Sequence, residues 1–435
     1  MPNQFTASLW GDEAFAAVLS QKSLWEIVTI LTRDTSPPAW YFFEHWWITI
    51  FGTSEIAIRS LSFTFFLLGV FFTYKIGARV WDRRTGLFAA LLTFLNPFLF
   101  IYAFEGRMYS IMVGFVAASM YFFIARNWIP YVIATIIAIY SHHFALFAVA
   151  VQGLWFFKEL LFGNRKLAFS IFKALFVVGL LYVPWLYPLY LQTTLVGGGF
   201  WLGVPTLEEY GGLIRKFLAE GIPHSLATPT LYVLYVVLAL RRWTKDKEIT
   251  LFLLLWFLLP ITLTYIISQF FQSIFYDRYM LYVIPGATLL LASNRRIFSG
   301  FLILLACGML FTINAFYFTH PTKRPFQDLS TYVKQTRKEG DILINHNAAA
   351  HHIWESKYYG IPAPLWVPEG DLPFYVGTAL MTKDDIIRTI PQASRVGVIT
   401  SGNIEDVQLP RYTKRETKVF GSLTFAWYEN TQKSR

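Results

Sequence analysis

Apolar runs long enough to enter a lipid bilayer recur about ten times along this chain, and a chain solvated by lipid has few ways to fold. They occupy 61–76, 87–103, 109–125, 129–140, 144–157, 167–190, 226–240, 249–270, 279–291 and 297–318. Hydrocarbon offers no water to satisfy backbone N–H and C=O groups, so each run is expected to be helical. Several fall short of the ~20 residues of a full span, and tilt or neighbouring protein must supply the difference. Composition agrees: 15% of the 435 residues are charged, 55% are hydrophobic, and the mean hydropathy is +0.44. A soluble domain carries roughly a quarter charged residues.

Charge alternates from loop to loop. Arg79, Arg83 and Arg84, then Arg126, then Lys158, Arg165 and Lys166, then Arg241, Arg242, Lys245 and Lys247, and finally Arg295 and Arg296 form one basic set. The intervening loops are poor in cations, holding Arg107, His142 with His143, Arg215 with Lys216, and Arg278. The positive-inside rule assigns the basic set to the cytoplasm and the other to the outer face. The net charge of +10 is thus explained by topology, and no nucleic-acid partner is expected. A single cysteine, Cys307, excludes disulfides within the chain and Cys-based metal sites. The first ten residues lack the basic and apolar regions of a signal peptide.

An even number of spans leaves 1–60 and 319–435 both outside, flanking a transmembrane domain at 61–318. Apolar patterns at 14–31 and 40–50, separated by 34–38, predict two juxtamembrane helices. The outer loop 192–228 contains Gly197, Gly198 and Gly199, which suit either a lid or a plain flexible crossover. Beyond 319 the pattern turns soluble: helices at 326–338 and 348–359, strands at 341–345 and 395–400, and a strand pair within 418–428. The expected fold is therefore an α-helical polytopic membrane protein of about ten spans with a small C-terminal α/β extracytoplasmic domain.

Chemically useful residues gather on the outer side. Asp12 and Glu13 open a helix, where carboxylates favour the macrodipole but where one could equally act as a general base. Glu105 and Arg107 lie in a very short loop before Tyr109; they can pair with each other, or the guanidinium can hold a lipid phosphate. Adjacent histidines diverge on a helix, so His142 and His143 are poor joint metal ligands; hydrogen bonding to a sugar or phosphate, or packing, fits them better. Arg278, followed by Tyr279, is another outer cation whose plain use is to snorkel to headgroups. An acid pair, two arginines and a histidine pair above an apolar core suit a reaction on the polar head of a lipid-tailed substrate.

These residues carry a resemblance. Leu9-Trp10-Gly11-Asp12-Glu13, Asp34-Thr35-Ser36-Pro37-Pro38, Phe51-Gly52-Thr53-Ser54-Glu55 and Arg59 look like the first outer loop of the GT-C glycosyltransferases, in particular the protein O-mannosyltransferase and aminoarabinose transferase-like group, glycosyltransferase family 39 in the broad sense. Glu105-Gly106-Arg107-Met108-Tyr109, Ser141-His142, and Arg278-Tyr279 with Pro285 resemble its further segments in the same order. The resemblance implies transfer of a sugar from a polyprenyl-phosphate donor to a lipid, protein or glycan acceptor at the extracytoplasmic face of the cell membrane, without metal or other cofactor. It implies Asp12 as base with inversion, Arg107 and Arg278 against the departing phosphate, and Glu13, Glu105, Tyr109, His142 and Tyr279 around sugar and acceptor. It also implies a span ahead of the Asp-Glu pair, which this sequence would lack. Two other readings stay open: a lipid or glycolipid transporter, and a catalytically inactive glycolipid-binding relative. Apolar runs almost free of charge count against the transporter.

Overall fold

The structure is a computed structural model describing residues 3–221, 224–346 and 352–431, apart from the side chains of 224–230. Two compact units emerge, one from Met1–Asp34, Tyr41–Ile58 and His320–Arg435, the other from Thr35–Trp40 and Arg59–Thr319. Most of the 1–60 segment and of the 319–435 domain, distant in sequence, thus share one unit; 35–40, 59–60 and 319 fall in the other.

The N-terminal segment forms α1 (Gly11–Ser20), α2 (Leu24–Leu31) and α3 (Ala39–Phe51), three helices where the apolar pattern predicts two. The pattern runs on through 20–23, but Ser23 starts a new helix: its hydroxyl accepts from the Glu26 N–H (3.3 Å) and Glu26 accepts from the Ser23 N–H (3.0 Å). Ser20 donates to the Glu44 carboxylate at 2.7 Å, tying α1 to α3.

Next come α4 (Glu55–Val80), α5 (Arg83–Leu95), α6 (Pro97–Tyr102), α7 (Tyr109–Ala125), α8 (Trp128–Ser141), α9 (Ala145–Phe162), α10 (Arg165–Gly197), α11 (Leu207–Ala219), α12 (His224–Trp243), α13 (Lys247–Phe270), α14 (Ile284–Ser293) and α15 (Gly300–Thr319). All ten apolar runs are helical over most of their described length, and among the described residues five helices, α4, α9, α10, α13 and α15, are long and apolar enough to cross a membrane. The others are shorter or interrupted. With 17 and 14 residues, α7 and α8 reach only about 25 and 21 Å. The 87–103 run breaks where Asn96 caps α6 and Pro97 opens it. The 279–291 run starts as a 3-10 turn, Asp277–Val283. The chain is an α-helical, multi-pass membrane protein.

In the 192–228 loop the glycines end α10, and the amphipathic α11 follows. Thr206 and Glu209 cap it reciprocally, and it buries Leu213, Phe217 and Ala219. This helix stands where the glycines suggest only a lid or a flexible crossover.

After the membrane segment come α16 (Phe326–Thr336), β1 (Ile342–Asn345), α17 (His352–Tyr358), β2 (Leu365–Trp366), β3 (Ile386–Ile387), β4 (Arg395–Thr400), β5 (Tyr412–Phe420) and β6 (Leu423–Asn430). The expected helix at 348–359 lies outside the described residues as far as 351. The sheet order is β3-β2-β1-β4-β6-β5, with β1 to β4 parallel and β6 antiparallel to both β4 and β5. Strand alternation divides its core: Leu343, Ile399, Phe425 and Trp427 meet α16 on one face, while Ile344, Val396, Val398 and Tyr428 pack on the other. Both α1 and the segment ahead of it are stitched to this domain: the Leu9 N–H donates to Tyr359 (2.8 Å), and Phe15 of α1 meets Trp354 edge-on at 5.2 Å.

Candidate functional site

The loop from α6 to α7 is pulled tight by its own backbone. The Arg107 N–H donates to the Glu105 carbonyl at 2.7 Å, and Ser62 of α4 donates to the same oxygen. Glu105 and Arg107 are both buried, and Tyr109 begins α7 directly behind them. Arg278, at the start of the 3-10 turn, reaches this loop from far along the chain. Its Nη1 lies 3.8 Å from the Glu105 carboxylate, and its guanidinium sits over the rings of Tyr109 (5.4 Å) and Tyr276 (4.9 Å). Cation–π contact and a carboxylate together hold a charged fork at a fixed place with little water around it.

An aromatic wall completes the cluster. Tyr279 lies 6.4 Å from Tyr109 in a stacked arrangement and 4.8 Å from His142; Phe144 packs on both Tyr279 (5.0 Å) and His142 (5.2 Å). The Phe144 N–H donates to His142 Nδ1 at 3.1 Å, so that nitrogen carries no proton. Burial, then repulsion from a proton on His143 and from the Arg107 and Arg278 guanidiniums, holds the His142 pKa well below the usual imidazole value. A neutral His142 can hydrogen-bond a ligand without adding charge. Its neighbour points elsewhere: His143 bonds Tyr182 (3.1 Å) and Gln192 (2.6 Å), both on α10, and Gln192 donates to the Ser36 carbonyl.

Five of the residues singled out in the sequence, Glu105, Tyr109, His142, Arg278 and Tyr279, are therefore joined by direct contacts, with the charge of Arg107 acting on His142 and Tyr109. The sequence assigns no site role to Lys216, Asp277 or Tyr276, although Lys216 stands among the outer-loop cations. Lys216 of α11 pairs with the Asp277 carboxylate at 2.5 Å, and Asp277 also accepts from the Arg278 N–H at 2.6 Å. The polar face of α11 was the available signal for Lys216; its partner was unreadable because the two lie 61 positions apart.

In the other unit, Asp12 and Glu13 occupy the first turn of α1. Glu13 is fully buried and structurally engaged: its carboxylate accepts from Lys323 at 2.7 Å and from the Trp10 N–H at 3.4 Å. Asp12, one position earlier, is half-buried on the same turn.

No family model and no curated protein matches this sequence. Solved structures do. The apo crystal structure of ArnT from Cupriavidus metallidurans superposes with a TM-score of 0.67 at 13% identity, covering 97% of this chain and 94% of that one. The same protein bound to undecaprenyl phosphate gives 0.65 at 13% identity and the same coverage. The oligosaccharyltransferase of Archaeoglobus fulgidus, in complex with Zn and sulfate, gives 0.54 at 13% identity, over 90% of this chain and 64% of that one. Both neighbours are GT-C glycosyltransferases. A likeness running almost end to end through membrane and C-terminal regions establishes the architecture: this chain has a GT-C-like fold.

Proposed function

We propose that this protein is a membrane glycosyltransferase that moves a sugar from a polyprenyl-phosphate-linked donor to an acceptor hydroxyl at the extracytoplasmic face of the cell membrane. Asp12 takes the hydroxyl proton, and the freed oxygen attacks the anomeric carbon from the side opposite the leaving group. The C1–O bond to phosphate breaks, its electron pair leaves with the polyprenyl phosphate, and the product is inverted. Arg107 and Arg278 oppose the charge that grows on that phosphate. Glu105, Tyr109, His142 and Tyr279 line the polar head, and Glu13, engaged with Lys323, supports the turn that carries Asp12.

The observation that carries this reading is Arg278, held over Tyr109 and Tyr276 beside Glu105. A guanidinium immobilised beside an apolar domain, instead of spread into headgroups, suits recognition of one anionic group. Support comes also from the fold neighbour whose crystal structure contains undecaprenyl phosphate.

The reading is tested by reconstituting the full chain with a panel of polyprenyl-phosphate sugars. Wild type is expected to consume one of them, and Asp12→Asn to lower that turnover by about 10²–10⁴-fold with donor binding retained. Turnover at the wild-type rate in Asp12→Asn would remove Asp12 as the base. Donor binding without consumption by either protein would favour the inactive glycolipid-binding relative.

A further inference from the structure

A cavity of about 190 Å³ opens among the ends of α7, α8, α9, α10 and α13, at the end of the membrane unit away from Tyr109. With 17 residues in α7, it lies about 25 Å along that helix from Tyr109. Ile124, Leu167 and Phe252 give it an apolar part, and Trp128, Trp155 and Arg126 also line it. Two carboxylates also line it, but both are occupied. Lys158 reaches Glu159 at 2.8 Å and Glu248 at 2.6 Å, and Glu159 accepts in addition from the Asn164 N–H.

Arg126 differs. It is exposed, its field acts on Glu159, and it forms no ion pair among the described residues. Its backbone is left-handed (φ 57°, ψ 32°), where it ends α7: the Asn127 N–H returns to Phe122 and the Arg126 N–H to Phe123. Glycine fits that position without strain. An arginine there keeps a guanidinium at the mouth of the cavity. Arg165 and Lys166, at the start of α10, add positive charge on the same side.

We propose that this cavity binds an anionic phospholipid of the leaflet facing the basic loops. Arg126 takes the headgroup phosphate, Trp128 and Trp155 stand at the glycerol level, and an acyl chain lies along Ile124, Leu167 and Phe252. The two carboxylates share one lysine, so the net positive charge near the cavity comes from Arg126 together with Arg165 and Lys166, and apolar residues beside that charge match an amphiphile better than a free ion. The site is independent of the sugar-transfer reading.

The test is native mass spectrometry of the detergent-purified full chain offered phosphatidylglycerol and phosphatidylcholine in equal amounts. Wild type is expected to retain phosphatidylglycerol preferentially. Arg126→Gly, which relaxes the left-handed turn and so preserves the fold, should lower that retention by about fivefold. Arg296→Gln, at another basic loop, should leave it unchanged. Equal retention of the two lipids by wild type, unchanged retention in Arg126→Gly, or displacement of phosphatidylglycerol by inorganic phosphate would each overturn the proposal.

Discussion

Individual side chains in this protein owe their chemistry to what encloses them. His143 is caught between Tyr182 at Nδ1 and Gln192 Oε1 at Nε2, a geometry that suits the neutral ring with its proton on Nε2. Burial pushes its pKa down to about 4, against the raising effect of Gln192, and His142 is lowered as well. Both folded values lie below the ~6.5 of an unfolded histidine, so on acidification the unfolded chain takes up protons first. Stability from these residues is complete above about pH 6.5 and is lost below it, for His143 as the pH falls towards about 4, by at most about 1.4 kcal/mol per pH unit for each. The unfolding midpoint should therefore drop across that window, and less steeply in His143→Gln. A flat wild-type profile would show that neither ring is held neutral by the fold.

Among elements, the membrane helices meet where side chains vanish. Gly77 of α4 and Gly86 of α5 face each other so closely that a Cβ on Gly86 would stand 2.6 Å from the Tyr74 carbonyl oxygen and 2.7 Å from the Ala78 nitrogen. Gly114 of α7 meets the Phe65 carbonyl in the same way, at 2.8 Å. In lipid, helix association relies on such close backbone approach, because burying apolar surface gains little there. Gly86→Ala is expected to destabilise the protein by about 1–3 kcal/mol, read as a lower unfolding temperature in detergent. Gly179→Ala in α10, where a Cβ meets nothing within 4 Å, should be neutral or slightly stabilising. Equal midpoints for the two variants would contradict the packing account.

At the scale of the whole molecule, the first unit joins the two extremes of the chain. Leu9 to Tyr359, Ser8 to Gln327, Phe15 to Trp354 and Glu13 to Lys323 are all contacts across more than 300 positions. The last of these is a buried ion pair, with Glu13 fully buried and the Lys323 side chain 14% exposed. Removing only its cation leaves a buried charge uncompensated, so Lys323→Met should cost about 3–5 kcal/mol and expose the N-terminal segment to limited proteolysis. Adding Glu13→Leu should restore most of that stability. A single variant as protease-resistant as wild type would mean that the segment is held without the pair.

Short-range patterns were legible from the residues alone. The apolar runs appear as helices because hydrocarbon leaves the backbone no other partner, and β4 together with α16 follows its local periodicity closely. Caps are local signals too, as Ser23 and Thr206, which opens the amphipathic α11, show. The motif-bearing side chains Glu105, Tyr109, His142, Arg278 and Tyr279 could be named in advance as candidate site residues, although not as neighbours. Their meeting, and the arrival of Asp277 and Lys216 beside them, was settled by how distant helices pack. So was the joining of the two chain ends in one unit. Helical period and turn chemistry act over a few positions, whereas contacts across hundreds of positions depend on shape complementarity that no local pattern encodes.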